Sequence, residues 1–224
     1  MFAVLFEVEP GPGQWDTYLG HARALRPELE KIDGFVENVR YRSLTRDGLL
    51  LSLSSWRDEK ALVRWRTHAA HHAAQEKGRA SILRDYHLRI GELTGDTNPG
   101  SDRLLTAHRF DETEAGTATT VVLLDGRQPA HWVADVPARQ VAEWLGLQSQ
   151  AEGLVAWDVF DGVLEPGDII LMLSWRDNTA ALTFEHSLRL QPDVRLRRIR
   201  VIRDYGMFDR REAPQYYPEL VRVD

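Results

Sequence analysis

The chain has 224 residues, 43% hydrophobic and 28% charged, a balance that supplies a folded core and excludes a disordered or fibrous protein. Its 28 basic residues are outnumbered by 34 acidic ones, so we expect no nucleic-acid partner. The absence of cysteine excludes disulfides, thiolate metal sites and a cysteine nucleophile. Residues 1–9 lack a signal-peptide pattern and no run approaches the ~20 apolar residues of a membrane span, so we expect a soluble, cytoplasmic protein without membrane contact.

The first predicted elements are a strand, a helix and a hairpin. Alternating apolar residues predict a strand at residues 2–8, and apolar residues at helical spacing predict a helix at 15–32 that stops before Gly34. Residues 35–44 and 49–56 then form a predicted hairpin, because an Asp-Gly pair between them favours a tight turn.

A second helix and a returning strand complete the series. Asp58 can cap a helix that runs toward Gly78, and residues 82–93 form the next strand. The resulting β-α-β-β-α-β order is that of a ferredoxin-like unit, in which both helices pack on one face of an antiparallel sheet. The polar residues 94–102 are the predicted linker to the second half of the chain.

The second half of the chain repeats the first at a shift of 119 positions. Ser55-Trp56-Arg57-Asp58 recurs as Ser174-Trp175-Arg176-Asp177, and Arg84-Asp85-Tyr86 recurs as Arg203-Asp204-Tyr205. At this one shift, 12 of the 53 positions from Gly34 to Tyr86 are identical. The chain is therefore a tandem duplication.

The second copy is less regular than the first. Residues 104–110 and 117–124 both have strand patterns, 127–136 has the composition of an insertion, and 137–150 is the predicted helix. The tail from residue 210 has no predicted place beyond a possible packing across the other copy.

These patterns predict an α+β protein of two ferredoxin-like repeats, at residues 1–94 and 103–224. Each repeat leaves one sheet face without helices, and packing the repeats sheet to sheet covers both faces. We therefore expect an intramolecular pseudo-dimer with a barrel-like core and the helices outside. A further pairing of two such chains as a homodimer is also compatible with the sequence.

The same motifs resemble the antibiotic biosynthesis monooxygenase superfamily of dimeric α+β barrels. The resemblance is carried by the strand ending in Ser-Trp-Arg-Asp, by Ala61, Trp65, His68, His71, Gln75, Gly78 and Arg79, and by Arg84-Asp85-Tyr86. It implies a monooxygenase, an oxidoreductase that oxidises a small aromatic or polyketide-type molecule with dioxygen and without a cofactor. Flavin and haem stay open as alternatives.

Two departures from the family pattern bear on this function. Polyketide oxygenases of this family have an Asn four residues before the strand-end Trp, where this chain has Ser52 and Leu171. Haem-degrading members have an Asn on the first strand, which is absent here, and a helix His at a position that falls near Gln75. A non-catalytic binding or scaffold protein is therefore the main alternative, ahead of a haem-degrading oxygenase.

The strand that ends in Trp distinguishes the two copies. Alternate residues of a strand share a face, so Trp56 lies beside Ser52 and Ser54, whereas Trp175 lies beside leucines. Hydroxyls beside an aromatic wall favour a pocket in the first repeat; the alternative is that the serines lie on a solvated surface.

The helix after this strand supplies candidate bases. Residues three or four positions apart lie on the same side of a helix. This spacing predicts one stripe of side chains formed by Trp65, His68, His72, Glu76 and Arg79, and His71 lies to its side. A histidine near neutral pH can remove a phenolic or enolic proton and leave a carbanion that reacts with dioxygen. The alternatives are a solvated helix face and, less favoured, a divalent metal on His68, His72 and Glu76.

The sequence therefore predicts one site in the first repeat. The predicted catalytic residues are His68, His72 and Trp56, and the predicted substrate-binding residues are Ser52, Ser54, Trp65, His71, Tyr86 and Arg79. No metal ligand is predicted. The recurrence of Tyr86 as Tyr205 also favours a structural role for that residue.

Overall fold

The computed structural model describes residues 1–98, 105, 107–132 and 136–220. Both repeats follow the predicted β-α-β-β-α-β order, except that two helices replace the second helix of the first repeat. The first repeat consists of β1 (Phe2–Pro10), α1 (Trp15–Glu30), β2 (Phe35–Ser43), β3 (Leu50–Trp56), α2 (Glu59–Arg66), α3 (Ala69–Lys77) and β4 (Leu83–Asp96). The second consists of β5 (Thr120–Arg127), α4 (Ala138–Leu145), β6 (Leu154–Gly162), β7 (Asp168–Trp175), α5 (Asn178–Ser187) and β8 (Arg195–Gly206). The predicted α+β tandem fold is confirmed.

The eight strands close into one antiparallel barrel in the order β1-β3-β2-β6-β7-β5-β8-β4, with β4 pairing back to β1. The repeats meet at two seams. Strand β4 pairs with β8 from His87 opposite Gly206 onward, and β2 pairs with β6 from Tyr41 opposite Gly162 onward. Closure leaves neither repeat with a free sheet edge at the seams, which removes a site of aggregation.

The two faces of the barrel wall have different neighbours. Inward residues such as Leu5, Leu53 and Phe160 form the barrel core and are fully buried. Because side chains alternate along a strand, Ser52 and Ser54 of β3 point outward, toward the helices of the first repeat. This outward layer holds the candidate site.

The repeated motifs have structural reasons. Asp58 accepts a hydrogen bond from the Ala61 backbone N–H at 2.8 Å and caps α2, and Asp177 caps α5 in the same way. Gly34 has a φ of +91°, and a Cβ there would lie 2.6 Å from the Cβ of Ala61. The Gly34 and Ala61 pair therefore recurs in the second repeat because it brings a helix close to the turn that precedes β2.

The predicted single helix after Asp58 is wrong, because the structure has two helices there. The helix stops at Thr67, and His68 has an extended backbone with φ −64° and ψ 130°. The Thr67 hydroxyl donates to the Val63 carbonyl at 2.9 Å, a local bond that competes with the helical ladder. Helix α3 then runs into a π-helical turn at Gly78–Ile82, which delays β4 by one residue.

In the second repeat, the first helix is shorter than predicted and the first strand begins later. The predicted helix at 137–150 ends at Leu145, because Gly146 takes a left-handed backbone with φ +115°. The strand predicted at 117–124 is β5, shifted three residues toward the C-terminus. Of the strand predicted at 104–110, residues 107–110 are not in a strand, and 104 and 106 lie outside the described residues.

Parts of other predictions lie outside the described residues. Residues 99–104 include half of the boundary between the predicted domains at 1–94 and 103–224, and these domains stay a prediction. Residues 133–135 belong to the predicted insertion at 127–136. No helix in the described part of the chain is long and apolar enough to cross a membrane.

The C-terminal tail crosses from the second repeat onto α3 of the first. Gln215 Nε2 lies 3.3 Å from Gln75 Oε1, and the Tyr217 hydroxyl donates to the same oxygen at 2.9 Å. Arg79 donates to the Pro218 carbonyl at 3.3 Å. The tail therefore becomes part of the first repeat's helical layer.

Candidate active site

A cavity of about 230 Å³ lies in the first repeat, between the outer face of the sheet and the helices, with the tail at one end. Its wall is mainly apolar. Seven of the nine predicted site residues line it: Ser52, Ser54, Trp56, Trp65, His71, Arg79 and Tyr86. The other two, His68 and His72, are not among the lining residues.

The sheet side of the cavity presents two serine hydroxyls beside Trp56. Ser54 Oγ accepts a hydrogen bond from Trp56 Nε1 at 2.9 Å, and Ser52 Oγ accepts one from Asn38 Nδ2 at 2.9 Å. Asn38 Nδ2 also donates to the Leu53 carbonyl at 3.2 Å. Since both serine oxygens accept from an N–H group, their hydroxyl protons are available to donate to a ligand.

Asn38 is a site residue that sequence reasoning missed. It lies on β2, opposite Ser54 in the strand register, and its amide reaches Ser52. The family pattern drew attention to the position four before Trp56, which lies on β3 itself. The available signal was the β2–β3 hairpin, whose register places alternate β2 residues on the same outward face.

His71 is a half-buried, neutral histidine on the helical side. Its ring stacks on Trp65, with ring centroids 4.3 Å apart, and its Nδ1 lies 3.0 Å from the Trp65 carbonyl oxygen. Gln75 Nε2 lies farther from Nδ1, at 3.4 Å. Because the nearer partner is a carbonyl oxygen, which can only accept, we assign the proton to Nδ1 and the lone pair to Nε2. Burial lowers the pKa of His71 to about 4 against the opposing effect of the Trp65 carbonyl. His71 is therefore uncharged at neutral pH.

The other two histidines lie at the start of α3, His68 as the residue that precedes the helix and His72 in its first turn, and they have different surroundings. His68 lies against Trp65, at 5.6 Å between ring centroids, and its Nδ1 is buried without a hydrogen-bond partner. His72 is nearly half exposed, with Nδ1 3.2 Å from the Tyr217 hydroxyl and Nε2 3.5 Å from Glu76. Within the described residues, no three His, Asp or Glu side chains are grouped to hold a metal ion.

The tail end of the cavity is built from arginines and tyrosines. The Tyr86 hydroxyl accepts from Arg79 at 2.9 Å and from Arg210 at 2.7 Å. Both guanidinium groups also lie over the Tyr217 ring, at 5.2 and 5.3 Å from its centroid. Sequence reasoning missed Arg210 and Tyr217, because no local pattern shows where a tail packs.

The equivalent region of the second repeat is filled with apolar side chains. At the shift of 119 positions, Trp157, Leu171, Leu173 and Phe184 replace Asn38, Ser52, Ser54 and Trp65. All four belong to one apolar cluster or pack against it, and Phe184 lies 4.8 Å from Trp175 between ring centroids. Trp175 Nε1 is buried without a partner, because no serine is present to accept from it. The polar lining belongs to the first repeat.

Two ferredoxin-like repeats that close one barrel, with an outward cavity under the helices of the first, define a single-chain version of the dimeric α+β barrel. Comparison with known proteins agrees with this class. The antibiotic biosynthesis monooxygenase family matches residues 1–77. The jasmonate monooxygenase ABM of Pyricularia oryzae is 47% identical over 223 residues, which cover 97% of this chain and 99% of that protein. The chain belongs to the antibiotic biosynthesis monooxygenase family.

The comparison with solved structures finds similar chains at low sequence identity. An aldoxime dehydratase in complex with butyraldoxime has a TM-score of 0.55 and 12% identity, covering 90% of this chain and 79% of that one. An anthrone oxidase-like protein has a TM-score of 0.33 and 13% identity, covering 96% of each chain. The likeness to the dehydratase is one of fold alone.

Proposed function

We propose that this protein is a monooxygenase that oxidises a small, largely apolar substrate in the cavity of the first repeat, without a cofactor. The observation that supports this most directly is a neutral, half-buried histidine, His71, in the same cavity wall as the hydroxyls of Ser52 and Ser54. A base and a pair of hydrogen-bond donors in an apolar cavity are what the formation and stabilisation of an enolate require.

The first step is removal of a proton from a carbon beside a carbonyl or phenol. His71 Nε2 accepts this proton, because Nδ1 is held in its protonated form by the Trp65 carbonyl. The imidazolium that forms is stacked on the Trp65 ring, an arrangement that stabilises a cation. We assign the base to His71 rather than to the predicted His68 or His72 because it lines the cavity.

The negative charge that develops on the substrate oxygen needs donors. Ser52 and Ser54 supply hydroxyl protons, each fixed by the N–H group that its oxygen accepts from. Asn38 therefore positions Ser52, and Trp56 both positions Ser54 and forms an aromatic wall. Donors oriented before the reaction stabilise developing charge without reorganising.

The resulting carbanion reacts with dioxygen, and the atoms balance without an outside reductant. A CH2 group and O2 give C=O and H2O: the carbon loses two hydrogens, one oxygen atom enters the product, and the other leaves as water. The substrate supplies all four electrons that reduce dioxygen.

Jasmonate is the substrate to test first, because the 47% identical relative is named for it. Its cyclopentanone ring has one CH2 group beside the carbonyl, as the proposed chemistry requires. Polyketide-type substrates with a CH2 group activated by a carbonyl meet the same requirement.

The test is oxygen consumption by the purified protein with jasmonate, with the product analysed by mass spectrometry after reaction under 18O2. We expect uptake with one labelled oxygen per product. His71→Ala is expected to reduce the rate at least tenfold, as removal of a general base does, and His72→Ala, outside the cavity wall, to change it less than threefold.

Two results would count against this proposal. Jasmonate that binds without oxygen uptake would favour a binding protein on the same fold. The second histidine in the cavity wall is His21 on α1, and a tenfold loss in His21→Ala with none in His71→Ala would move the base to that helix.

A further inference from the structure

Three guanidinium groups at the tail end of the cavity have no carboxylate partner. Arg66, Arg79 and Arg210 all line the cavity. Arg79 is only 8% exposed, and it donates to neutral oxygens, those of Tyr86 and of backbone carbonyls. Among the described residues, no ion pair involves any of the three, and the cavity wall contains no Asp or Glu.

The other two buried arginines of the described residues are paired. Arg89 lies 2.7 Å from Glu7, and Arg197 lies 2.8 Å from Asp125. Burying a guanidinium without a counter-charge is costly. Arg79 is buried like these two and lacks a carboxylate partner, which points to a counter-charge supplied by a ligand.

The second repeat has a paired acidic residue at the position of Arg66. At the shift of 119 positions, Arg66 on α2 corresponds to Glu185 on α5, and Glu185 pairs with Arg198 of β8 at 2.6 Å. The first repeat has Arg in place of that Glu, which adds a positive charge to the cavity wall instead of a paired one.

Arg66 is the member of the group that is free to bind. Its Nε is buried without a hydrogen-bond partner, and its guanidinium donates to no acceptor in the described part of the chain. Arg79 and Arg210 already donate to Tyr86 and to backbone oxygens, so they contribute mainly charge. A guanidinium matches a carboxylate with two parallel N–H donors.

We propose that the ligand of this cavity is a carboxylate anion, held at its carboxyl end by Arg66, with Arg79 and Arg210 supplying the surrounding positive charge. This inference rests on the proposed function for the reaction that the ligand undergoes, and it names the substrate class as a small apolar carboxylic acid.

The test is equilibrium binding under anaerobic conditions, followed through the fluorescence of Trp56 and Trp65, which line the cavity. The probes are jasmonate and its uncharged methyl ester. The wild-type protein is expected to bind the acid at least tenfold more tightly than the ester, since a hydrogen-bonded charge pair is worth about that factor or more.

Two variants of Arg66 and one control sharpen the test. Arg66→Met removes the charge at similar length, and Arg66→Glu reproduces the residue that pairs with Arg198 in the second repeat. Both are expected to lose at least tenfold in affinity for the acid and to change affinity for the ester less than about twofold. Arg64→Met, an exposed neighbour on α2 that contacts Asp33, should match the wild type.

The outcomes separate this proposal from the proposed function. Equal affinity for acid and ester, no binding of either, or an Arg66→Glu variant that binds the acid normally would overturn the carboxylate site. If oxygen uptake nevertheless proceeds equally with acid and ester, the monooxygenase proposal survives alone. Selective binding of the acid without oxygen uptake would leave the carboxylate site standing and remove the oxidation.

Discussion

At the scale of single residues, the protonation state of His71 decides whether the cavity has a base. Burial lowers its pKa to about 4, and only the neutral form can accept a proton. The neutral fraction therefore dominates above pH 4 and is lost as the pH falls through that value.

This gives a pH prediction for the reaction. The value of kcat/KM with jasmonate should stay level from pH 8 down to about pH 5 and decline below it, where His71 becomes protonated. The measurement is initial oxygen uptake across this range, with circular dichroism at each pH to confirm that the protein is folded. A decline centred near pH 6.5, the value of an ordinary histidine, would contradict the assignment of the base.

Single residues also show which parts of the candidate site can be predicted from the sequence and which cannot. Ser52, Ser54 and Trp56 were found because alternation along one strand places them on one face. Asn38 was missed because its contact with Ser52 crosses between strands. Arg66 was missed because its place in the cavity wall depends on how the helices and the tail pack.

At the scale of elements, the seam between β4 and β8 carries an ionised histidine. His87 Nε2 lies 2.6 Å from Asp204, and its Nδ1 lies 3.4 Å from Glu7. Burial acts to lower the pKa of His87, but the hydrogen bonds to Asp204 and Glu7 outweigh it and raise the pKa to about 9. The folded state therefore binds a proton that the unfolded chain releases near pH 6.5.

Because the pKa of His87 is raised in the folded state, the free energy of unfolding should also depend on pH. The stabilisation from His87 is fully present below about pH 6.5 and is lost as the pH rises through 9, because the folded state binds more protons in that window. Urea unfolding at pH 6, 7.5 and 9 should show a fall in the free energy of unfolding that His87→Gln lacks. His186→Gln, exposed on α5, is the control and should keep the wild-type fall; an identical fall in His87→Gln would remove the seam as its cause.

Elements were predicted well where the pattern is local. The hairpin, the cap at Asp58 and the returning strand of the first repeat arise from periodicity and turn residues. The break at Thr67 and His68 was missed because apolar spacing continues across it, and the tail was missed because its contacts with Gln75 join residues 140 or more positions apart.

At the scale of the whole molecule, duplication has produced two repeats with one architecture and different interiors under their helices. The closed barrel needs both repeats, because each provides strands at both seams. The second repeat fills its helix and sheet interface with Trp157, Leu171 and Leu173, and its tail completes the cavity of the first. We infer that the second repeat is a structural partner and that the first carries the chemistry.

The most direct test of this division is oxygen uptake with jasmonate by two matched variants. Ser52→Leu places in the first repeat the residue that the second has at the equivalent position, and Leu171→Ile makes a conservative change at that equivalent position. We expect at least a tenfold loss for Ser52→Leu and a change of less than twofold for Leu171→Ile, with both proteins melting near the wild-type temperature. Full activity in Ser52→Leu would contradict this division of roles, and a loss confined to Leu171→Ile would place the reaction in the second repeat.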